Sequence, residues 1–170
     1  MKLLQLPPYP VFPELHNDVA GLRAILESDM ETLTEISFYD GQPAGNAVEA
    51  WRIQQRIDAD YARGESIHWG ITDRQTGELV GTCGYYRGLA NGTGELGCVL
   101  KPAFRGRGYM TAALALAIDF GIKQAGLSTI MAITTPGNRA AVQLLGRLQF
   151  VKIKDLPGGQ VYYEWLRTGV

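Results

Sequence analysis

The sequence predicts an α/β domain on a mixed, mostly antiparallel sheet of about six to seven strands with about four flanking helices. Three observations predict it. Ile67, Trp69 and Ile71 alternate with His68, Gly70 and Thr72, the period of two of a half-buried strand. The turn Asp73-Arg74-Gln75-Thr76-Gly77-Glu78 then leads into a second run, Leu79 to Tyr86, which makes an antiparallel hairpin. From Glu95 the order becomes strand, glycine turn, helix, strand, helix, and two strands of one sheet joined through a helix must lie parallel.

The elements follow along the chain. The first 13 residues hold Pro7, Pro8, Pro10 and Pro13 and read as an extended arm. A short strand spans Val19 to Leu26, and Ser28-Asp29 caps a helix running toward Ile36. Residues 38–45, with Gly41, Pro43 and Gly45, read as a loop. Ala50, Ile53, Ile57 and Tyr61 recur at helical spacing, which makes 46–63 an amphipathic helix, with Trp51 as packing or pocket wall. After the hairpin, a Gly-rich loop at 88–94 precedes the strand Glu95 to Lys101, which Pro102 ends by removing a ladder donor. Met110, Leu114, Ala117, Ile118, Gly121 and Ile122 trace one face of a third helix, about 20 Å long from Gly108 to Gly121. Thr129 to Thr134 is a strand, and Asn138 opens a fourth helix to about Leu148. Strands at 150–154 and 160–166 close the chain around Pro157-Gly158-Gly159. The 170 residues fit one domain, with 1–13 as its arm.

The chemistry concentrates at Arg105-Gly106-Arg107-Gly108-Tyr109-Met110. Two glycines free of Cβ atoms let a ligand approach the main chain, and the helix behind them presents unpaired N–H groups and the positive end of its dipole. Arg105 and Arg107 add forked donors suited to phosphate. No Asp or Glu occurs from Leu96 through Ile118, while Lys101, Arg105 and Arg107 all fall in that window, so the local field is positive on a chain of net charge -1. A Walker A loop is excluded because no Lys-Ser or Lys-Thr pair follows a glycine. The dinucleotide fingerprint is excluded because Thr111 stands where its third glycine would be.

Composition narrows the partners. A pI near 6.1 with scattered basic residues argues against nucleic acid, and no apolar run is long enough for a membrane span. Cys83 and Cys98 lack CxxC spacing and read as small core residues of a cytoplasmic protein. His16 and His68 do not make a zinc site, so no metal is expected.

The run R-G-x-G-Y-M resembles the pyrophosphate-binding motif of the GNAT N-acetyltransferase superfamily, in particular its ribosomal-protein N-terminal acetyltransferase-like (Rim-type) branch. The resemblance covers roughly residues 66 to 155. It extends through Ile67 to Asp73, Thr76 to Thr82, Gly94-Glu95-Leu96-Gly97, and Asn138 with Leu144, Leu145 and Phe150. Leu22-Arg23 and Glu27-Ser28-Asp29 look like the family's opening strand and first helix. Ala112, Ala141 and Gln149 depart from the branch's usual Glu, Ser and Gly.

The resemblance implies a sheet whose central strands, 95–101 and 129–134, splay apart to hold the pantetheine arm of acetyl-coenzyme A as an added strand. It implies cofactor contacts from Cys98, Val99, Leu100, Arg105, Gly106, Arg107, Gly108, Tyr109, Met110 and Asn138. Glu95 is the expected base, and a main-chain N–H near Cys98 or Val99 the expected oxyanion donor. The proton donor to the leaving thiolate is open. Leu145 and Ala141 occupy the positions where relatives carry a tyrosine or a serine, which leaves water, Tyr85, Tyr86 or Tyr109, or a thiolate that departs unprotonated. The expected activity is direct acetyl transfer to an amine, either a protein N-terminus or a small molecule, without metal or covalent enzyme intermediate. The alternatives are a non-catalytic acyl-coenzyme A sensor and a phosphate-binding module of another fold. The acceptor pocket would draw on 38–45, 46–63 and 87–93, the segments least like the family. A homodimer through a strand edge fits the same fold.

Overall fold

Residues 2–167 are described by the computed structural model, and among them ten strands and four α-helices form in the order β1 (Leu15–His16), β2 (Ala20–Arg23), α1 (Met30–Leu33), β3 (Phe38–Tyr39), β4 (Gln42–Pro43), α2 (Ala47–Ala62), β5 (Ile67–Asp73), β6 (Leu79–Tyr85), β7 (Thr93–Leu100), α3 (Tyr109–Phe120), β8 (Thr129–Thr134), α4 (Arg139–Arg147), β9 (Phe150–Asp155) and β10 (Val161–Trp165). Eight strands make one sheet in the order β1-β2-β5-β6-β7-β8-β10-β9, and β3 pairs with β4 separately. Every neighbouring pair is antiparallel except β7 with β8. The mixed sheet is therefore as expected, with one strand more: the two-residue β1, too short to show a period, pairs Leu15 with Leu22.

The alternation in β5 sets the two layers. Ile67, Trp69 and Ile71 face α3, where Trp69 meets Phe120 edge to face at 5.2 Å and Tyr85 at 6.5 Å. Leu145, Leu148 and Phe150 join this core, placing α4 on the same side. Ile25, Met30, Leu33, Ile36, Ala50 and Leu79 form a second cluster, which holds α1 and α2 against the other face. The Tyr85 hydroxyl donates to the Ala117 carbonyl at 2.6 Å, and just beyond, α3 continues as a π turn, Gly121–Ala125.

Two segments differ from the sequence expectation, and a third keeps to it while packing on the domain. The helix expected from Ser28 to Ile36 breaks into a 3₁₀ turn, the four-residue α1 and a second 3₁₀ turn. The hydroxyls of Thr34 and Ser37 donate back to the carbonyls of Met30 (2.7 Å) and Leu33 (2.8 Å), side-chain bonds that compete with regular helix. The loop at 38–45 contains a hairpin: Asp40 and Gly41 both have positive φ, the geometry in which an Asp-Gly pair turns two strands back on each other. The proline arm has no regular structure, as expected, but it is docked. Tyr9 packs on Phe120 and Tyr61, Gln5 N–H donates to the Ala125 carbonyl at 2.8 Å, and Trp69 Nε1 donates to the Pro13 carbonyl at 3.0 Å.

Candidate active site

The site is organised by the two edges of β7. On one edge β6 accompanies it from Leu96 opposite Tyr85 to Leu100 opposite Gly81. On the other, pairing with β8 covers only Thr93, Gly94 and Glu95, opposite Thr129, Ile130 and Met131. From Leu96 onward no ladder partner stands on that side among the described residues, while β8 stays paired to β10 as far as Thr134. The two central strands thus diverge after Glu95. The exposed edge runs through Cys98, Val99 and Leu100, which is where an extended ligand can complete main-chain hydrogen bonds.

Past the end of this edge, Pro102 to Phe104 make a 3₁₀ turn, and residues 105–108 swing into α3. Gly106 (φ 74°) and Gly108 (φ 86°) occupy the left-handed region, and no atom lies within 4 Å of where a Cβ would stand at either. The glycines are there for the backbone conformation and they leave the approach to the main chain open. Gly108 is the N-cap of α3 and offers no side-chain cap, and the first turn carries no acidic residue, so the N–H groups at the helix start remain available for an anion. Arg107 lies over the rings of Phe104 (5.5 Å) and Tyr109 (5.8 Å), which restrains its guanidinium beside the turn. No ion pair among the described residues engages Lys101, Arg105 or Arg107. The donor set, the open glycines and the unpaired edge fit a ligand with a phosphate end and an extended amide-bearing arm.

Tyr109 enters this site through its main chain. Its side chain is buried and its hydroxyl donates to Asp73 in the β5–β6 turn, which raises the phenol above its ordinary range and holds the Asp73 carboxyl below its own. Met110 is half buried against the α3 core, and Leu100 is buried in it. Asn138 follows β8 at the open end of the divergence. Its Oδ1 accepts from Ala141 N–H at 3.1 Å and so caps α4. Leu145 belongs to the core.

Glu95 is on the opposite face of β7 from the α3 core, its side chain 16% exposed and ion-paired with Arg87. Tyr86 lies beside it, joined by Tyr86 N–H to the Glu95 carbonyl at 2.9 Å, and its ring covers Gly97, where a Cβ would collide with it. This face opens into a cavity of about 520 Å³ between the sheet, α2 and the β3–β4 hairpin. Ile25, Leu33, Ile36, Ile53 and Ile57 make its apolar wall, and Ser66, His68, Thr82, Tyr86, Cys98 and Val99 come from the sheet. The His68 and Tyr86 rings are 5.5 Å apart. Burial lowers His68 to about 4, raises the Cys98 thiol to about 12 and raises the Tyr86 phenol, so all three are neutral near pH 7. Tyr86 lines the cavity and is still 36% exposed.

Of the three tyrosines open as proton donors, the structure retires two. Tyr85 is committed to Ala117 inside the core and Tyr109 to Asp73, whereas Tyr86 lines the cavity. Ser66, His68 and Tyr86 escaped assignment to this cavity because their meeting depends on strand register. The Asp40-Gly41 pair was the signal for the hairpin that roofs it.

Known proteins agree with this geometry. Residues 13–151 match the family model described as an acetyltransferase (GNAT) domain. The chain is 29% identical over 150 residues to an uncharacterised N-acetyltransferase, YoaA, of Bacillus subtilis (strain 168), covering 84% of this chain and 85% of that one. Its fold resembles that of a putative ribosomal-protein-serine acetyltransferase from Vibrio cholerae, with a TM-score of 0.77 at 18% identity over 95% of this chain and 99% of that one. It also resembles a dodecameric spermidine N-acetyltransferase from Vibrio cholerae, with a TM-score of 0.69 at 18% identity over 87% and 92% of the two chains.

Proposed function

The chain belongs to the GNAT acetyltransferase family, which makes it an acyltransferase, and we propose that it moves acetyl from acetyl-coenzyme A directly to the nitrogen of an amine. The observation that carries this reading is a coincidence of position: the unpaired edge of β7 leads straight into the uncapped start of α3. Main-chain groups of Cys98, Val99 and Leu100 would pair with the pantetheine arm. Arg105, Arg107 and the N–H groups from Gly106 to Met110 would hold the pyrophosphate, with Asn138 at the far side of the opening. Bound there, acetyl-coenzyme A supplies an activated acetyl thioester.

The chain's own residues then manage charge and protons. An alkylamine is protonated near pH 7, since its ordinary pKa is about 10.4, and only the neutral amine is nucleophilic. Glu95, on the acceptor face of β7 and shielded from most solvent, receives that proton. Main-chain N–H groups at Cys98 or Val99 steady the charge that develops on the acetyl oxygen. Tyr86, a neutral phenol that lines the cavity, would return a proton to the departing thiolate.

A second reading, an acyl-coenzyme A sensor, draws on α4, where Ala141 and the core residue Leu145 provide no donor. The two are separated by incubating the protein with acetyl-coenzyme A and a panel of amines, including peptide N-termini, polyamines and arylalkylamines, while monitoring free thiol. A transferase releases thiol only with an acceptor present. Cofactor binding without thiol release for any amine establishes the sensor.

A further inference from the structure

Two residues that line the cavity each carry a buried polar atom, Ser66 Oγ and His68 Nδ1, with no hydrogen-bond partner among the described residues. Buried polar groups are nearly always paired, so a cavity that collects two unpaired ones on a single wall points to the ligand as their partner. Ser66 and His68 are two residues apart on the same face, at the start of β5. A serine hydroxyl and an uncharged imidazole, whichever ring nitrogen carries the proton, together offer both donors and acceptors. An ammonium can only donate and a carboxylate can only accept. A neutral hydroxyl or carboxamide answers both.

The register places this pair at a defined distance from the chemistry. His68 is opposite Gly84 in β6, and Gly84 is opposite Gly97 in β7, so the pair sits two strand spacings, about 10 Å, from the strand that carries Glu95. The wall beside this interval is apolar, formed by Ile25, Leu33, Ile36, Ile53 and Ile57. Of the carboxylates near the cavity, Asp60 binds Arg63 and the Tyr39 hydroxyl and Glu95 binds Arg87, while Asp40 is exposed in the turn of the β3–β4 hairpin. That leaves Asp40 alone, out on the hairpin turn, to hold a second ammonium, and an apolar wall leaves a peptide's carbonyls and N–H groups unmatched.

Resting on the transferase reading above, we propose that the acceptor is a small-molecule amine with an apolar, ring-sized body and a neutral hydroxyl or carboxamide at the end away from the amine, and that Ser66 and His68 determine specificity by binding that end. The amine would meet Glu95 at β7 while the polar end reaches β5.

A matched series tests this: phenethylamine, its para-hydroxyl form (tyramine) and its para-carboxamide form, compared by kcat/KM from thiol release, with acetyl-coenzyme A affinity measured separately. At least one polar member should exceed phenethylamine by at least about tenfold, mainly through KM, because the unsubstituted ring leaves buried groups unpaired. Ser66→Ala and His68→Phe should bring that ratio toward one without changing acetyl-coenzyme A affinity. The ratio in the unaltered protein is decisive even where a variant folds poorly. Equal turnover of all three overturns the proposal, as does failure to use or bind any of them while spermidine or a peptide N-terminus is acetylated; both leave the transferase reading standing. Absence of acetyl-coenzyme A binding overturns the two together.

Discussion

The two faces of β7 are made of different material. On the side of its free edge, the candidate cofactor site is built mainly from main-chain groups, an unpaired strand edge, an uncapped helix start and two glycines in the left-handed region, with Arg105 and Arg107 beside them. On its Glu95 face, the cavity consists of side chains drawn from β5, β6, β7, α2 and a short hairpin. A site built from backbone serves any sequence that keeps the glycines and the fold, whereas a site built from side chains can be rewritten residue by residue. One strand thus carries a largely backbone-built candidate site beside a side-chain-built one.

The strongest way to break this division is at Glu95, the cavity-face residue assigned to chemistry. Glu95→Gln should lower kcat roughly a hundredfold to ten-thousandfold while leaving acetyl-coenzyme A affinity unchanged. Steady-state kinetics on a good acceptor, paired with calorimetry, measures both, and full turnover would remove Glu95 as the base.

The next effect concerns the cost that the cavity imposes on folding. His68 titrates near 4 in the folded protein against an ordinary 6.5, because burial disfavours the imidazolium. Between those values the unfolded chain binds a proton that the folded one does not, so stability present above about pH 6.5 is lost as pH falls toward 4, in total of the order of 3 kcal/mol. Urea unfolding at about pH 7 and about pH 4.5 should show a smaller loss for His68→Phe than for the unaltered protein. Equal losses would mean that His68 is not held neutral.

Gly97 sharpens the comparison inside a single strand. A Cβ there meets the edge of the Tyr86 ring, a partly exposed side chain, so Gly97→Ala should fold and instead displace Tyr86 within the cavity. Acceptor KM should rise about tenfold, with acetyl-coenzyme A affinity within about threefold of the starting value. A change in cofactor affinity alone would show that the two faces are not separable.

The same contrast explains what was legible in the sequence. The glycine turn and the helix it opens could be read because their logic is local: Gly106, Gly108 and the start of α3 are neighbours in the chain. The layout from Glu95 to Leu148 was equally readable, since a strand, helix and strand in succession dictate a parallel pair. The cavity was not. Tyr86, Ser66 and His68 meet only because β5, β6 and β7 adopt one register, and His68 by itself looked like the polar half of an alternating strand. The β3–β4 hairpin escaped because its strands have two residues each, although Asp40-Gly41 announced its turn. Asn138 offered two readings, a helix cap and a pantetheine contact, and the structure shows the cap.

The central claim is that the turn at Arg105 to Gly108 and the helix behind it hold the pyrophosphate of acetyl-coenzyme A. Calorimetric titration of the unaltered protein and of the Arg105→Ala, Arg107→Ala double variant tests it most directly. About one site per chain in the unaltered protein, weakened at least tenfold by the double substitution as charged hydrogen bonds are lost, is the expected result. Unchanged affinity in the variant, or no detectable binding at millimolar acetyl-coenzyme A, would contradict it.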